Sequence, residues 1–510
     1  MRAETFDQML RRRAAENPAA PALGDGVILL DRGALDAQVE RVAAALQRDG
    51  IGRGDVVALC AATAVPQALV FLGALRAGAV PAPIPTSVTA AQFEAMVADS
   101  GARVVFTDAR APACGAAPGR QVVSLEGSTA DVDFDAWLAP AGARAAAVEV
   151  QLGDAFDIIY SSGTTGTPKG IVHPQSMRAA QVGRAARYAL DAASVMVLAT
   201  PLCSNTTLVA FLPALAVGAC VHLMGRFDAA AYLNLAQQLR ATHTMLVPVQ
   251  YQRLMAHTDF DHADLQAFRM KLCTSAPFTP ALKAQVLARW PGGLMEIYGM
   301  TEGGGSCFLD AHLHPDKLHT VGRPADGHDI RLIDEEGQAL PPGPQAVGEI
   351  VGRSGSMMTG YHGRPAQTRE AEWYDAQGRR YIRTGDIGRF DEDGFLILMD
   401  RRKDIVISGG FNLYPSDLEA VLRQHPAVAD AAVFGVPSAQ WGETPVACVV
   451  ARAGEAAPDA EALRQWANER LGRTQRLTEV RWVAELPRSA IGKVLRRDLR
   501  QAWLEGPTAG

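Results

Sequence analysis

Paired cysteines, long apolar runs and an excess of basic charge are all missing from this sequence. Its seven cysteines, Cys60, Cys114, Cys203, Cys220, Cys273, Cys307 and Cys448, include no CxxC pair. An odd, unpatterned set argues against a disulfide framework or a zinc site, and for the reduced thiols of a cytoplasmic protein. No stretch of about 18 apolar residues occurs, so no transmembrane helix and no membrane partner are expected. The opening segment, MRAETFDQMLRRRAAENPAA, spreads its charges and leads into no apolar core, which excludes a signal peptide. The formal net charge of −6 argues against a broad nucleic-acid-binding face. Aromatic residues, at 6 %, are too few and too scattered to suggest a function.

What is present is length and alternation. A chain of 510 residues exceeds the usual single-domain size, so two or more domains are expected. Residues 55–60 read as a buried strand, residues 63–77 as a helix with Pro66 tolerated in its first turn, and residues 102–107 as another strand. Further strands are expected at 195–200, 220–224, 244–248 and 271–274. Such alternation predicts α/β units around largely parallel sheets. From about residue 328 the texture changes to short antiparallel strands joined by Gly- and Pro-rich turns, with a hairpin at 389–395. The last hundred residues read as a small α+β unit, entered through a strand, a double glycine and a helix expected to be capped by Ser416. The expected domains are residues 1–400 and 401–510.

One stretch carries chemistry by itself. Residues 160–170 read YSSGTTGTPKG, after an apolar strand at 156–160. Glycine lets the backbone approach a ligand, consecutive amides in turns form anion nests, hydroxyls add donors, and Lys169 adds a positive charge. That is the logic of a phosphate cradle. It is not a Walker A loop, because Pro168 stands where that pattern needs glycine. A mobile Ser/Gly linker is the plain alternative.

Further motifs follow in order: YGMTE at 298–302, YIRTGD at 381–386, DRRKD at 400–404 with ISGGF at 407–411, and PRSAIGK at 487–493. Together with the glycine loop they resemble the signatures of adenylate-forming enzymes, the superfamily of acyl-CoA synthetases, peptide-synthetase adenylation domains and luciferases. The similarity runs from about residue 20 to the end. It implies a large N-terminal domain of α/β layers with a distorted antiparallel barrel, and a small mobile α+β C-terminal domain. It also implies the reaction of a carboxylate with ATP to give acyl-AMP and pyrophosphate, followed by attack of a thiol and release of AMP.

The resemblance assigns roles. Ser161, Ser162, Gly163, Thr164, Thr165, Gly166 and Lys169 would surround the ATP phosphates. Glu302 would ligate Mg²⁺, an ion suited to one or two carboxylates plus phosphate oxygens. Thr301 would contact the α-phosphate, and Tyr298, with Gly299 after it, would pack on adenine. Ser275, Ala276 and Pro277 match the small-residue segment beside the adenine, although Thr274-Ser275 replaces the family's usual Gly-Gly or Gly-Ala. Asp386 would accept hydrogen bonds from both ribose hydroxyls, and Arg401 would add a donor. Lys493 would stabilise the charge that gathers between carboxylate and α-phosphate in the transition state. Lys403 would be the hinge, with Gly409 and Gly410 along the channel for the pantetheine arm of coenzyme A.

The acyl pocket is expected in residues 201–208 and 303–307. The first segment lacks the aspartate that pairs an amino-acid ammonium, and it carries Ser204 where many relatives have histidine. Neither segment holds an arginine or lysine, which disfavours a dicarboxylate. Small neutral side chains there leave room for an elongated or planar small-molecule carboxylic acid. An aryl or arylpropenoic acid of the coumarate or ferulate type is expected; medium-chain and alicyclic acids are the rivals. Coenzyme A is the expected acceptor, because no carrier domain follows, and the competing reading is a free-standing enzyme that loads a carrier protein. A homodimer is within what the resemblance allows.

Overall fold

The computed structural model describes residues 4–114, 119–126, 132–161, 169–408, 411–472, 475–489 and 492–506. The chain divides into two compact units, Met1–Ile330 with Gly352–Ile382, and Arg331–Val351 with Arg383–Gly510.

The first unit is built on sheets of mainly parallel strands. A nine-stranded sheet runs in the order Arg323–Pro324, Cys307–Asp310, Gly293–Tyr298, Met270–Thr274, His243–Leu246, Val195–Leu198, Cys220–Leu223, Pro21–Gly24, Leu29–Asp31. From Gly293–Tyr298 to Pro21–Gly24 every neighbouring pair is parallel. A second, wholly parallel sheet contains Val80–Pro83, Val56–Cys60, Val104–Asp108, Gln121–Glu126 and Val132–Asp133. These strands are almost fully buried, as expected when helices cover both faces. The expected helix at 63–77 forms as Val65–Arg76 with Pro66 in its first turn. One large core cluster joins its Phe71 to Phe156, Phe211 and Trp137.

Two features of this unit position the candidate site. The hairpin of Ala155–Ser161 and Lys169–Pro174 pairs Ser161 with Lys169, so it closes the glycine loop at its base. Helix Asn205–Val217 starts at the N-cap Ser204, whose side chain accepts from Thr206 N, and ends at Gly218 with φ +84°.

The second unit contains the expected α+β fold. Strands Phe411–Leu413, Val406–Ser408, Gly442–Ala451 and Val428–Ser438 form an antiparallel sheet, and Glu479–Val483 adds in parallel to Gly442–Ala451. The hairpin expected at 389–395 joins Arg380–Phe390 to Leu396–Arg401. One local expectation fails. Helix Pro415–Leu422 begins after Tyr414 and has no side-chain cap. Ser416 lies inside its first turn, with its amide donating to Asp400 Oδ2 at 2.7 Å and its hydroxyl donating to the Met399 carbonyl. Pro415 starts the helix because its missing N–H costs nothing in the first turn.

Candidate active site

In open α/β sheets, ligands bind outside the carboxyl ends of the strands. Three of the expected site segments follow such ends in the nine-stranded sheet. Residues 201–208 follow Val195–Leu198, Ser275 follows Met270–Thr274, and Gly299 follows Gly293–Tyr298. The last two strands are neighbours, with Thr274 opposite Ile297, so Ser275 emerges beside Tyr298. The Ser275 hydroxyl pairs with that of Thr206, which links residues 275–277 to residues 201–208.

Ser275 has φ +83°, one of three non-glycine residues with positive φ among the described residues. The family pattern's glycine has a physical reason here, because a Cβ in this region costs roughly 1–2 kcal/mol. Ser275→Gly and Ser275→Ala both remove the hydroxyl, but only the first relieves the strain. The Gly variant is expected to be about 1 kcal/mol more stable than the Ala variant, measured as the difference between their thermal unfolding midpoints. Equal midpoints would contradict this.

The YGMTE turn is held from several sides. The Glu302 carbonyl accepts from Met358 N at 2.9 Å, and the Thr301 carbonyl faces His173 Nε2 at 2.8 Å. The Tyr361 hydroxyl donates to Glu302 Oε1 at 2.9 Å, and Lys169 Nζ lies 5.0 Å from the centre of the Tyr361 ring. Burial, and then the Glu302 charge, push the Tyr361 hydroxyl well above its usual pKa. Tyr361 therefore keeps its proton and donates it. Lys169, Tyr361 and Glu302 form one contiguous set beside the loop base. Ser162, Gly163, Thr164, Thr165 and Gly166 lie outside the described residues, as do Gly409 and Gly410.

The glycines after Glu302 also have a packing role. Gly303 and Gly304 have φ of +77° and +93°. A Cβ on Gly303 would meet the Ser356 carbonyl at 2.1 Å, and one on Gly304 would meet the Gly352 carbonyl at 2.7 Å. The room left by these missing side chains lets the backbone of residues 352–356 approach. Cys307 is fully buried.

Beside this segment, His328 Nδ1 accepts from Ser306 N at 2.9 Å. Burial, reinforced by the Arg184 charge and opposed by Asp326, lowers the His328 pKa to about 4 from its ordinary 6.5. His243, buried with Nε2 3.0 Å from the Tyr188 carbonyl, is likewise lowered to about 4, first by burial. Between pH 6.5 and 4 the unfolded chain binds more protons at these rings than the folded chain does. Their stabilisation is thus complete above pH 6.5 and falls as the pH drops through that window. His328→Asn is expected to lose less thermal stability between pH 7 and pH 5 than the unsubstituted protein. An identical loss would contradict this.

In the second unit Asp386 and Arg401 come together. They are register partners, with Arg401 Nε 3.1 Å from Asp386 Oδ1. Lys493 sits in a tight turn: Ser489 N donates to the Lys493 carbonyl at 2.8 Å, Lys493 N donates to Ser489 Oγ at 3.2 Å, and Gly492 has φ +77°. The basic helix begins only at Arg496, so Lys493 precedes it. Arg496 binds Glu419 at 2.6 Å and Asp404 at 3.3 Å, which ties this helix to the end of the segment 400–404. Burial lowers the Lys403 pKa from its usual value.

Sequence reasoning missed Asp157, His173, Arg178 and Tyr361. A signal existed for the first two, which flank the glycine loop as cross-strand partners. None existed for the others, whose partners lie 21 and 59 residues away.

Among the described residues there is no group of three or more His, Cys, Asp or Glu side chains able to hold a metal, and no helix long and apolar enough to cross a membrane. Glu302 fits a divalent ion brought in by a nucleotide better than a resident metal. It offers a single carboxylate, with Oε1 oriented by Tyr361.

The family model for AMP-binding enzyme matches residues 10–362, and that for the AMP-binding enzyme C-terminal domain matches residues 417–493. The chain belongs to the AMP-binding enzyme family, the adenylate-forming class, and its relatives include enzymes named CoA ligases and CoA synthases. It is 32 % identical to a feruloyl-CoA synthase of Amycolatopsis sp over 96 % of this chain and 98 % of that one. It is 31 % identical to the long-chain-fatty-acid–CoA ligase FadD13 of Mycobacterium tuberculosis over 97 % and 98 %. Among solved structures, the amide bond synthetase McbA from Marinactinospora thermotolerans superposes with a TM-score of 0.84 at 29 % identity, covering 98 % of this chain and 99 % of that one.

Proposed function

We propose that this enzyme joins an aryl or arylpropenoic acid to coenzyme A through an acyl-adenylate. The observation that carries the reading is the Lys169–Tyr361–Glu302 set at the closed base of the glycine loop. In the first step a carboxylate oxygen of the acid attacks the α-phosphorus of ATP, and the bond to pyrophosphate breaks. Lys169 and the loop hold the β- and γ-phosphates, and Thr301 contacts the α-phosphate. Glu302 would hold a magnesium ion that the nucleotide brings, and the ion would supply charge neutralisation. Tyr298 stacks on adenine beside residues 275–277. Asp386, with Arg401 beside it, binds the ribose hydroxyls, and Lys493 stabilises the charge at the reacting centre. The smaller C-terminal domain pivots near Lys403 between the half-reactions. In the second step the thiolate of coenzyme A attacks the acyl carbon, and AMP departs.

Likeness to the feruloyl-CoA synthase supports the arylpropenoic substrate. Likeness to FadD13 keeps longer aliphatic acids as a second reading, and likeness to McbA keeps an amine acceptor as an alternative to coenzyme A. A panel of carboxylic acids with ATP, scored for pyrophosphate and for AMP with and without coenzyme A, tests this. Ferulate or coumarate is expected to give the highest kcat/KM, with AMP release dependent on coenzyme A. Preference for an aliphatic acid overturns the substrate. AMP release that needs an amine or a carrier protein overturns the acceptor.

A further inference from the structure

One buried charged cluster has no part in the mechanism so far. Asp157 lies on the strand entering the glycine loop, His173 on the strand leaving it, and Arg178 on helix Gln175–Val182 just beyond. All three side chains are 0 % exposed. His173 Nδ1 is 2.5 Å from Asp157 Oδ1, and Nε2 is 2.8 Å from the Thr301 carbonyl. Nε2–H donates to the Thr301 carbonyl, while Nδ1 faces both Asp157 Oδ1 and the Arg178 guanidinium. Arg178 Nη2 donates to Asp157 Oδ2 at 2.6 Å, and Nη1 donates to Gln181 Oε1 and Asn205 Oδ1, each at 2.7 Å. Nη2 also lies 2.9 Å from His173 Nδ1, so the guanidinium, the carboxylate and the imidazole meet at one point. Burial raises the Asp157 pKa, but Arg178 and His173 outweigh it and hold the carboxyl below its ordinary range.

The cluster reaches three parts of the site. It spans the base of the glycine loop, meets the acyl segment at Asn205, and ends on the backbone of the YGMTE turn. Charges this deeply buried are poor stabilisers compared with a well-packed apolar core, so stability alone does not explain them. What an ionic, directional network provides is fixed geometry.

We propose that Asp157, His173 and Arg178 are positioning residues for acyl-adenylate formation: through the His173–Thr301 hydrogen bond they hold the Thr301–Glu302 turn against the base of the phosphate loop. This rests on the adenylation reading above. None of the three needs to touch substrate. Their effect falls on the step that uses Thr301 and Glu302, and the thioester step is spared.

His173→Gln keeps an amide donor but loses the rigid ring that spans Asp157 and Thr301. It is expected to lower kcat for pyrophosphate release by about 10–100-fold, the range typical of groups that orient a metal ligand. The KM for the acid should stay unchanged, MgATP binding by calorimetry should weaken about tenfold, and thioester formation from supplied acyl-adenylate should stay within about twofold of the unsubstituted enzyme. Equal losses in both half-reactions, or a lowered Tm with MgATP affinity unchanged, would overturn the proposal. Should His173→Gln not fold, Gln181→Leu removes one acceptor of Arg178 and is expected to weaken the adenylation step alone, by about threefold, a hydrogen bond's worth. Unchanged adenylation in that variant would also overturn it. Calorimetry on the unsubstituted enzyme separates the two readings, because failure to bind MgATP there removes the adenylation reading itself.

Discussion

Replacing Lys493 by Ala is expected to lower acyl-adenylate formation about 10³-fold, the upper range for loss of one electrostatic stabiliser. Thioester formation from supplied acyl-adenylate should be nearly unchanged. The argument combines chemistry with placement. Negative charge crowds between the carboxylate and the α-phosphate only in the adenylation transition state, so a cation aimed there lowers that barrier more than it strengthens substrate binding. The segment that carries Lys493 is fixed by Ser489 N donating to the Lys493 carbonyl, by Lys493 N donating to Ser489 Oγ, and by Arg488 donating to the Gly492 carbonyl at 2.7 Å. The side chain itself is exposed, so its removal leaves no cavity and should not disturb folding. Pyrophosphate release and single-turnover thioester formation, measured on the same preparation, check this. A parallel loss in both steps would assign Lys493 to binding or folding, not to adenylation chemistry.

The second large effect concerns stability. Arg178→Met is expected to destabilise the first unit by about 3 kcal/mol, near the lower end for breaking a buried ion pair. The lower end applies because His173 still faces one oxygen of Asp157. The loss has two sources: a buried carboxylate with less compensation, and Gln181 and Asn205 left without their donor. Adding Asp157→Asn to Arg178→Met should recover part of it, because the uncompensated charge is then gone. Denaturant midpoints for the single and double variants form the cycle that measures this coupling. A loss below about 1 kcal/mol, or simple additivity, would show that the pair is not coupled.

The glycine loop, YGMTE, the TGD motif and the lysine motif were all legible in the sequence, because each is a run of adjacent residues. Glycine stands where the backbone has positive φ, as at Gly385 and Gly492. The α/β layers were legible too, because apolar runs of strand length alternate with longer helical ones. Even the departure at Ser275 could be noticed, although only its φ of +83° shows what the missing glycine leaves strained.

One reading changed once residues distant in sequence were brought together. Ser416 looked like a helix cap, but Pro415 begins the helix and Ser416 binds the more distant strand Leu396–Arg401. Glycines 303 and 304 gained a reason of their own, because their missing side chains let the backbone of residues 352–356 approach. By itself the sequence determined the enzyme class and the motif residues, which depend on short-range pattern. Only the tertiary structure decided which side chains hold those motifs in place. Tyr361 on Glu302, and Asp157, His173 and Arg178 beneath Thr301, are partnerships that packing creates between segments up to 128 residues apart. No local pattern encodes such contacts, because their strength comes from burial that exists only after the chain has folded.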